Sequence, residues 1–336
     1  MLDDLVREWD GERVVARYDA AVAAWMLVAV HSTALGPAMG GTRLKPYARA
    51  EDAWADVLRL AGAMTLKNAA AGLPFGGGKA VLAVSTVPTG RERRRLLESY
   101  VELVASLGGS YVTACDMNTF EEDMDVLAER TPHVLGRSVA RGGSGSSAPA
   151  TATGVLHAIR AAVRAAFGRD DLAGSTVVVQ GAGAVGARLA SLLAVADASV
   201  IVADAIPARA DEVVEATGAR RVGVDEALET PCDVVSPCAV GGVLNEASIP
   251  RLRCRVVAGA ANNQLGEVRD AERLRDAGIL YAPDFVASAG GVLSLAGLET
   301  LGWSRATLER RLAGIGETLE TVFAAADRDA GEEDGG

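Results

Sequence analysis

The segment 176–204 constrains the fold more than any other part of the chain. An apolar run, TVVVQ, leads directly into GAGAVG at 181–186, then into a helix-like segment and a second apolar run that ends at Asp204. A GxGxxG pattern between a strand and a helix, with an acidic residue about 20 residues further on, is typical of a dinucleotide-binding βαβ unit. The segment therefore predicts a doubly wound parallel sheet.

The glycines of this turn meet separate requirements of a bound dinucleotide. Gly181 permits the tight turn, Gly183 lets the backbone approach a pyrophosphate, and Gly186 allows the helix to pack closely on the strand. Unpaired N–H groups at the start of the helix attract the phosphates. The turn residues expected to contact the cofactor are Gly181, Gly183, Ala184, Val185 and Gly186. The alternative is a glycine-rich turn that only packs against its neighbours.

Asp204 favours NAD over NADP. Its carboxylate can accept hydrogen bonds from a ribose diol, and its charge repels a 2′-phosphate. Arg209 is the one residue that favours NADP, but we expect it on the following helix. NAD is therefore the predicted cofactor.

Strand-like and helix-like segments alternate through the second half of the chain. The apolar strand-like runs lie at 175–180, 198–203, 232–237, 256–261 and 279–283. This alternation is the pattern of an α/β fold with a parallel sheet. The last 45 or so residues have helical periodicity.

The first third mixes strands with helices. The predicted elements are strands at 12–17 and 24–31, a helix at 51–71, a glycine loop entering the strand AVLAV, a helix at 91–106 and the strand SYVTA. Gly36, Gly40 and Gly41 are expected to interrupt the strand pattern. Thr119 and Glu122 form a capping-box signature for a further short helix.

The 336 residues correspond to about two domains of roughly 150 residues each. The clearest linker-like segment is RGGSGSSAP at 141–149. We predict a two-domain α/β protein: an N-terminal α/β domain over 1–135, a Rossmann-type domain over 136–290, C-terminal helices over 291–326 that return to the first domain, and an acidic flexible tail over 327–336.

Composition excludes several classes of protein. Hydrophobic residues make up 49% and charged residues 23%, which is ordinary for a globular chain. The net charge of −11 repels nucleic acid. No apolar stretch is long enough to span a membrane and the N-terminus is charged, so we expect a cytoplasmic protein. Four cysteines without a CxxC pair and three scattered histidines argue against a metal site.

Three charged residues lie in otherwise apolar surroundings. Lys67 flanks the apolar face of its helix, Lys79 follows three glycines, and Asp116 ends a strand. The glycines strip side chains from around an ammonium group and leave room for a ligand. The segment is not a Walker A loop, because Lys79 is followed by Ala80 and then a strand. Each residue also has a purely structural interpretation, as a snorkelling lysine or a turn-forming aspartate.

Nine motifs give the chain a strong resemblance to a known family. They are PAMGGTR (37–43), AGAMTLK (61–67), GLPFGGGKAV (72–81), YVTACDMNT (111–119), GRSVARGGSGSS (136–147), QGAGAVG (180–186), PCDVVSPCAVGG (231–242), VVAGAANN (256–263) and YAPDFVASAGG (281–291). In order along the chain, they resemble the NAD-dependent amino acid dehydrogenases of leucine, phenylalanine and valine, distant relatives of glutamate dehydrogenase. The run DMNTFEEDMDVL with GRSVARGGSGSS most resembles actinobacterial phenylalanine dehydrogenase.

The resemblance implies a role for each charged residue. Lys67, with the backbone at Gly41, would bind the substrate carboxylate, Lys79 would be the general base, and Asp116 would relay protons. We expect the two ammonium groups to disfavour each other's charge, so that the pKa of the base falls toward the operating pH. Asn262 would hold the substrate amine or the nicotinamide.

The resemblance also implies further contacts and an assembly. Thr151, Cys238 and Ala239 would contact the cofactor, and the first domain would bind substrate and form a homo-oligomer. Relatives have Asn at the position of Ser288, which would reach the nicotinamide carboxamide less well because serine is shorter. The partners implied are an L-amino acid, its 2-oxo acid and ammonia.

The resemblance implies that Ala114, Val292 and Leu295 decide how large a substrate side chain fits. Leu295 resembles the phenylalanine enzymes, whereas Ala114 and Val292 resemble the leucine enzymes. Overall similarity favours L-phenylalanine or another aromatic substrate, with leucine or valine as the alternative. Two alternatives are more distant: a protein that only senses NAD, and a hydroxy-acid dehydrogenase. A hydroxy-acid dehydrogenase generally needs a His and Arg pair, and the sequence has no motif for one.

Overall fold

The contacts within the chain define two compact units. The structure is a computed structural model that describes residues 2–333. One unit holds the chain up to Ser147 together with Ser294–Gly302, and the other holds Ala148–Leu293 together with the chain from Trp303. This division differs from the predicted boundaries: the segment 136–147 groups with the first unit, and only a short part of the C-terminal helices does so.

The first unit is built on a five-stranded mixed sheet. Its elements in chain order are α1 (Leu2–Glu8), β1 (Arg13–Asp19), β2 (Ala24–Ser32), β3 (Ala38–Pro46), α2 (Ala50–Ala70), β4 (Gly76–Val84), α3 (Gly90–Ser106), β5 (Tyr111–Cys115) and α4 (Glu121–Ala128). The strand order is β1-β2-β4-β3-β5. Strand β2 is antiparallel to β1 and β4, whereas β3 is parallel to β4 and β5.

Two glycine-rich segments lie in the centre of this sheet, contrary to prediction. Gly40 and Gly41 do not interrupt a strand but belong to β3. The three glycines before Lys79 do not form a loop but begin β4. The reason is close approach of main chains: a Cβ at Gly40 would lie 1.7 Å from the Gly78 carbonyl oxygen. Only glycine fits such a contact, so glycine here builds the sheet.

The two faces of the sheet bury different side chains. Successive residues of a strand point to opposite faces. Val81 and Ala29 pack with α2 residues such as Val57 and Leu58. Ala80 and Leu82 belong to the opposite core, which the residues of α3 and α4 complete. Lys79, two residues before Val81, therefore lies on the α2 face.

The second unit contains a six-stranded parallel sheet. Its elements are α5 (Ala148–Phe167), β6 (Thr176–Gln180), α6 (Ala184–Val195), β7 (Ser199–Ala203), α7 (Pro207–Thr217), β8 (Arg220–Arg221), α8 (Val224–Ala227), β9 (Val234–Pro237), β10 (Val256–Val257), α9 (Asp270–Asp276), β11 (Leu280–Tyr281), α10 (Asp284–Ala287), α11 (Gly290–Glu299) and α12 (Arg305–Glu333). Helix α11 crosses the boundary between the units.

The order of these strands, β8-β7-β6-β9-β10-β11, is that of a Rossmann fold, 3-2-1-4-5-6. The predicted two-domain α/β fold with a doubly wound parallel sheet is confirmed. Strand β10 is shorter than the predicted run 256–261: it spans only Val256–Val257, and the Ala258 N–H beyond it still donates to the Val235 carbonyl at 3.1 Å. Strand β8 was not predicted; its two residues are exposed arginines without an apolar pattern.

The long helix α12 packs against α5 within the second unit. It runs to Glu333, so helical backbone extends into the predicted tail 327–336. Residues 334–336 of that tail lie outside the described residues. None of the helices among residues 2–333 is both long and apolar enough to cross a bilayer.

Candidate active site

Lys79 and Asp116 form a buried ion pair in the first unit. Lys79 lies in β4, Asp116 follows the last residue of β5, and the Lys79 Nζ atom is 3.2 Å from Asp116 Oδ2. The side chains are 4% and 16% exposed, so little water screens the pair. The structure thus brings together two of the predicted catalytic residues, which are 37 positions apart in the sequence.

Arg43 and Asp56 extend this pair into a chain of alternating charges. Arg43 Nε donates to Asp116 Oδ2 at 3.0 Å, and Arg43 Nη1 donates to Asp56 Oδ2 at 3.0 Å. Tyr47 and Arg59 also donate to Asp56, at 2.6 and 3.0 Å. Arg43, Asp56 and Tyr47 were not among the residues predicted from the sequence.

Arg43 could have been predicted from the pairing of two strands. Had Gly40 and Gly41 been assigned to a strand parallel to YVTAC, Arg43 would have been expected next to Asp116, where the carboxyl ends of parallel strands meet. The observed register pairs Thr42 with Cys115, one residue before each of these. No comparable sequence signal indicates Asp56 or Tyr47.

These contacts determine the pKa values of the site. Burial lowers the pKa of Lys79 from its ordinary 10.5; Asp116 opposes that shift and Arg43 adds to it. Burial would raise the pKa of Asp116, but Lys79 and Arg43 together hold it far below its ordinary 3.8. Arg43 is a positive neighbour of Lys79 that was not predicted from the sequence. A base with a lowered pKa, held beside a carboxylate, can accept a proton and pass it on.

The predicted carboxylate-binding residues border the same strands. Lys67 is 7% exposed and lies near the end of α2. The next residue, Asn68, donates to the Gly76 carbonyl oxygen at 2.6 Å and fixes this part of α2 on β4. A Cβ at Gly41 would lie 2.8 Å from the Asp116 Cβ atom, so a side chain there would displace Asp116.

The turn after Asp116 differs from the predicted capping box. Thr119 Oγ1 accepts the Asp116 N–H at 2.9 Å and donates to the Thr42 carbonyl at 2.8 Å, so it is not the cap of α4. The Asp123 carboxylate instead accepts the Phe120 N–H at 2.8 Å. The prediction of Thr119 and Glu122 as a capping box was wrong by one position. Thr119 holds the turn that carries Asp116.

The predicted substrate-selecting residues lie in both units. Ala114 and Leu295 belong to the first unit and are 4% and 7% exposed. Leu295 Cδ2 is 3.5 Å from the position of a Cβ at Gly136. Val292 is half-buried and belongs to the second unit.

The dinucleotide turn connects β6 to α6 in the second unit. Gly181 has a φ of +106°, which favours glycine, and a Cβ at Gly186 would lie 1.8 Å from the Gly181 carbonyl oxygen. A Cβ at Gly183, in contrast, would have no neighbour within 4 Å. Gly183 is the N-cap of α6 and provides no side-chain cap, so the N–H groups of Ala184 and Val185 begin the helix without one. The open space and the uncapped N–H groups fit a pyrophosphate.

Asp204 is oriented by the backbone around this turn. Its Oδ2 accepts the Ala182 N–H and its Oδ1 accepts the Ile206 N–H, both at 2.7 Å. Each oxygen retains a lone pair that could accept a ribose hydroxyl. Arg209 lies on α7, as expected. The acceptor oxygens of Asp204 therefore fit the ribose hydroxyls of NAD.

Four further predicted contacts lie in the second unit. Ala239 N is 2.8 Å from a Cβ position on Gly181, and Cys238 Cβ is 3.3 Å from one on Gly186, so both residues border the turn. Thr151 lies in the first turn of α5, and its Cα is 3.0 Å from a Cβ position on Gly290. Ser288 is 5% exposed, and its hydroxyl donates to the Asp284 carbonyl at 2.6 Å.

Asn262 lies in the loop after β10. Its carbonyl oxygen is 2.6 Å from a Cβ position on Gly241. No group of His, Cys, Asp or Glu within residues 2–333 is arranged to hold a metal ion.

A 3-2-1-4-5-6 parallel sheet with an uncapped glycine turn after its first strand and an aspartate after its second defines a dinucleotide-binding Rossmann fold. Residues 20–133 match the profile described as Glu/Leu/Phe/Val dehydrogenase, dimerisation domain, and residues 202–331 match the one described as Glutamate/Leucine/Phenylalanine/Valine dehydrogenase. The chain belongs to the Glu/Leu/Phe/Val dehydrogenase family and is an NAD-dependent amino acid dehydrogenase. Residues 154–242 also match the NAD binding domain of D-isomer specific 2-hydroxyacid dehydrogenases, a likeness confined to the cofactor-binding part.

Three relatives illustrate the similarity. The chain is 41% identical to leucine dehydrogenase of Thermoactinomyces intermedius, over 97% of this chain and 88% of the relative. It is 42% identical to valine dehydrogenase of Streptomyces albus, over 95% and 87%. The crystal structure of L-tryptophan dehydrogenase from Nostoc punctiforme superimposes with a TM-score of 0.78 at 35% identity, covering 98% of this chain and 93% of that one.

Proposed function

We propose that this protein catalyses the reversible NAD-dependent oxidative deamination of a branched-chain L-amino acid, leucine or valine, to its 2-oxo acid and ammonia. The observation that carries the proposal is the 41% and 42% identity to a leucine and a valine dehydrogenase along nearly the whole chain. These relatives favour the branched-chain alternative over the phenylalanine substrate expected from the motifs.

The residues of the first unit would bind and activate the substrate. Lys67, with the backbone at Gly41, binds the carboxylate. Bound NAD⁺ supplies the acceptor for the hydride that leaves Cα, and the substrate becomes an imine. Lys79 in its neutral form takes a proton from the water that attacks the imine carbon. Asp116 passes protons to and from the nitrogen as the C–N bond breaks and ammonia departs.

The residues of the second unit would bind the cofactor. The turn at 181–186 and the start of α6 bind the pyrophosphate, and Asp204 binds the adenine ribose. Thr151, Cys238, Ala239 and Ser288 border the remaining part of the cofactor. Asn262 holds the substrate amine or the nicotinamide. The first unit forms a homo-oligomer, in keeping with the dimerisation domain whose profile it matches.

An aromatic substrate is the second candidate, favoured by the likeness to a tryptophan dehydrogenase. Leu295, which lies beside Gly136, resembles the phenylalanine enzymes at its position, whereas Ala114 and Val292 resemble the leucine enzymes. One methylene in such a pocket changes discrimination by only about 1–3 kcal/mol, so a few positions decide between these substrates.

The test is NAD reduction across a panel of L-amino acids, with ammonia-dependent NADH oxidation by the matching 2-oxo acids in reverse. We expect the highest kcat/KM for leucine, isoleucine or valine. A higher value for phenylalanine or tryptophan would replace the branched-chain assignment with the aromatic one. No turnover in either direction, with Lys79→Ala as the blank, would refute the proposed reaction.

A further inference from the structure

Arg43 joins two carboxylates that lie on different elements. Its Nε donates to Asp116, at the end of β5, and its Nη1 donates to Asp56, on α2. The side chains of Arg43 and Asp56 are each 11% exposed. A planar guanidinium can hold two carboxylates in fixed directions at once, whereas a lysine ammonium acts as a single point charge.

One oxygen of Asp116 has two cationic partners. Lys79 and Arg43 both contact Oδ2, at 3.2 and 3.0 Å. Arg43 therefore holds the carboxylate at the same oxygen that Lys79 contacts.

Asp56 is itself held by two donors besides Arg43. Tyr47 and Arg59 donate to it, and Lys45 Nζ lies 4.5 Å from the centre of the Tyr47 ring. Arg43 therefore has a fixed anchor on α2, and its direction toward Asp116 does not depend on substrate.

We propose that Arg43 is a positioning residue for the reaction: anchored on Asp56, it holds the Asp116 carboxylate beside Lys79 through Oδ2, in the orientation in which Asp116 exchanges a proton with the reacting nitrogen. This inference rests on the proposed function, because it assigns Asp116 a proton relay. Arg43 itself contacts neither substrate nor cofactor in this assignment.

Removing Arg43 changes the charge balance around Lys79 in a known direction. The charged groups on the elements around Lys79 are Asp116 after β5, Arg43 on β3, and Asp56 and Lys67 on α2. Arg43→Gln removes a cation that lowers the Lys79 pKa and leaves Asp116 to pair with Lys79 alone. Both effects raise the Lys79 pKa. Arg43→Lys keeps a cation but cannot bridge two carboxylates.

The sequence allows the pKa of Lys79 to be measured independently of turnover. Lys45, Lys67 and Lys79 are the only lysines in the chain. Competitive acetylation with acetic anhydride across a pH series, assigned by tandem mass spectrometry, gives a titration midpoint for each lysine. Steady-state kinetics with the best amino acid substrate gives kcat and KM for the same variants. Arg94→Gln is the matched control, because Arg94 is paired with two exposed glutamates, Glu98 on α3 and Glu129 just after α4.

For Arg43→Gln we expect the Lys79 midpoint to rise by about one pH unit, a tenfold gain in proton affinity. We expect kcat to fall by at least about tenfold, part of the ~10²–10⁴ that acid–base groups contribute, with little change in KM. Arg43→Lys should restore the midpoint but not kcat, and Arg94→Gln should change neither.

Three results would overturn the proposal. The first is an unchanged Lys79 midpoint and kcat in Arg43→Gln, and the second is full recovery of kcat in Arg43→Lys. The third is failure of both Arg43 variants to fold while Arg94→Gln folds, because that result would assign Arg43 to folding alone. If the parent protein turned over no amino acid, the proposed function would fail, whereas the acetylation midpoints would still report whether Arg43 controls Lys79.

Discussion

Gly183 and Gly186 belong to one motif but should fail in different ways when replaced by alanine. Gly183 has φ −72° and ψ −169°, which any residue adopts, and a Cβ there would have no neighbour within 4 Å. A Cβ at Gly186 would lie 1.8 Å from the Gly181 carbonyl oxygen. The first position leaves space for a ligand, whereas the second is filled by the protein's own backbone.

The magnitudes follow from these surroundings. Gly183→Ala should leave the free energy of unfolding unchanged or raise it by up to ~1 kcal/mol, because alanine restricts the unfolded chain. The added methyl group would keep the backbone from the pyrophosphate, at the cost of a hydrogen bond to a charged group worth about 1.5–3 kcal/mol. That cost corresponds to an NADH Kd weaker by roughly tenfold to 150-fold. Gly186→Ala should instead destabilise the fold by about 1–3 kcal/mol or more.

The assays are thermal unfolding and titration of NADH fluorescence on the parent and variants. Gly314→Ala is the matched control: Gly314 lies within α12, a Cβ there has no neighbour within 4 Å, and alanine should stabilise the helix without changing NADH binding. An unchanged NADH Kd in Gly183→Ala would show that the cofactor does not approach this backbone. A Gly186→Ala variant as stable as the parent would refute the packing argument.

Three further outcomes are expected. Lys79→Ala should lower kcat by about 10²–10⁴ while NADH still binds, and a variant retaining most of the rate would exclude Lys79 as the base. Because burial lowers the Lys79 pKa below 10.5 and the base acts when neutral, kcat/KM for deamination should rise with pH as Lys79 loses its proton; a flat pH profile would contradict this. Ser288→Asn should tighten NAD binding by calorimetry, since the Ser288 hydroxyl is directed to the Asp284 carbonyl and an amide reaches further; unchanged or weaker affinity would count against it.

The Rossmann half could be predicted because its signals are local. The apolar runs, the glycine turn and Asp204 follow one another within about 30 residues, the length of one βαβ unit. In the first half the decisive contacts are distant in sequence. Arg43, Asp56 and Asp116 meet only through the pairing of β3 with β5 and the packing of α2, which no short pattern encodes.

The glycines of the second half were assigned correctly to a turn, whereas those of β3 and β4 in the first half were wrongly assigned to loops. In the turn at 181–186, a positive φ and close helix packing are the expected uses of glycine. In β3 and β4, Gly40 and Gly76 each lie against a carbonyl oxygen of a neighbouring segment, so an apparent strand breaker is a strand residue. Propensity favours a loop there, and tertiary contact overrides it.

The glycine strands also bear on engineering of substrate scope. A Cβ at Gly40, Gly41, Gly76 or Gly77 would approach another residue's backbone atoms within 1.7–2.5 Å. These positions are closed to library mutagenesis, because any side chain would displace main chain next to Lys79 and Asp116. Variation is better directed to Ala114 and Leu295, which already carry side chains. A saturation library at these two positions should therefore yield far more folded variants than one at the glycines.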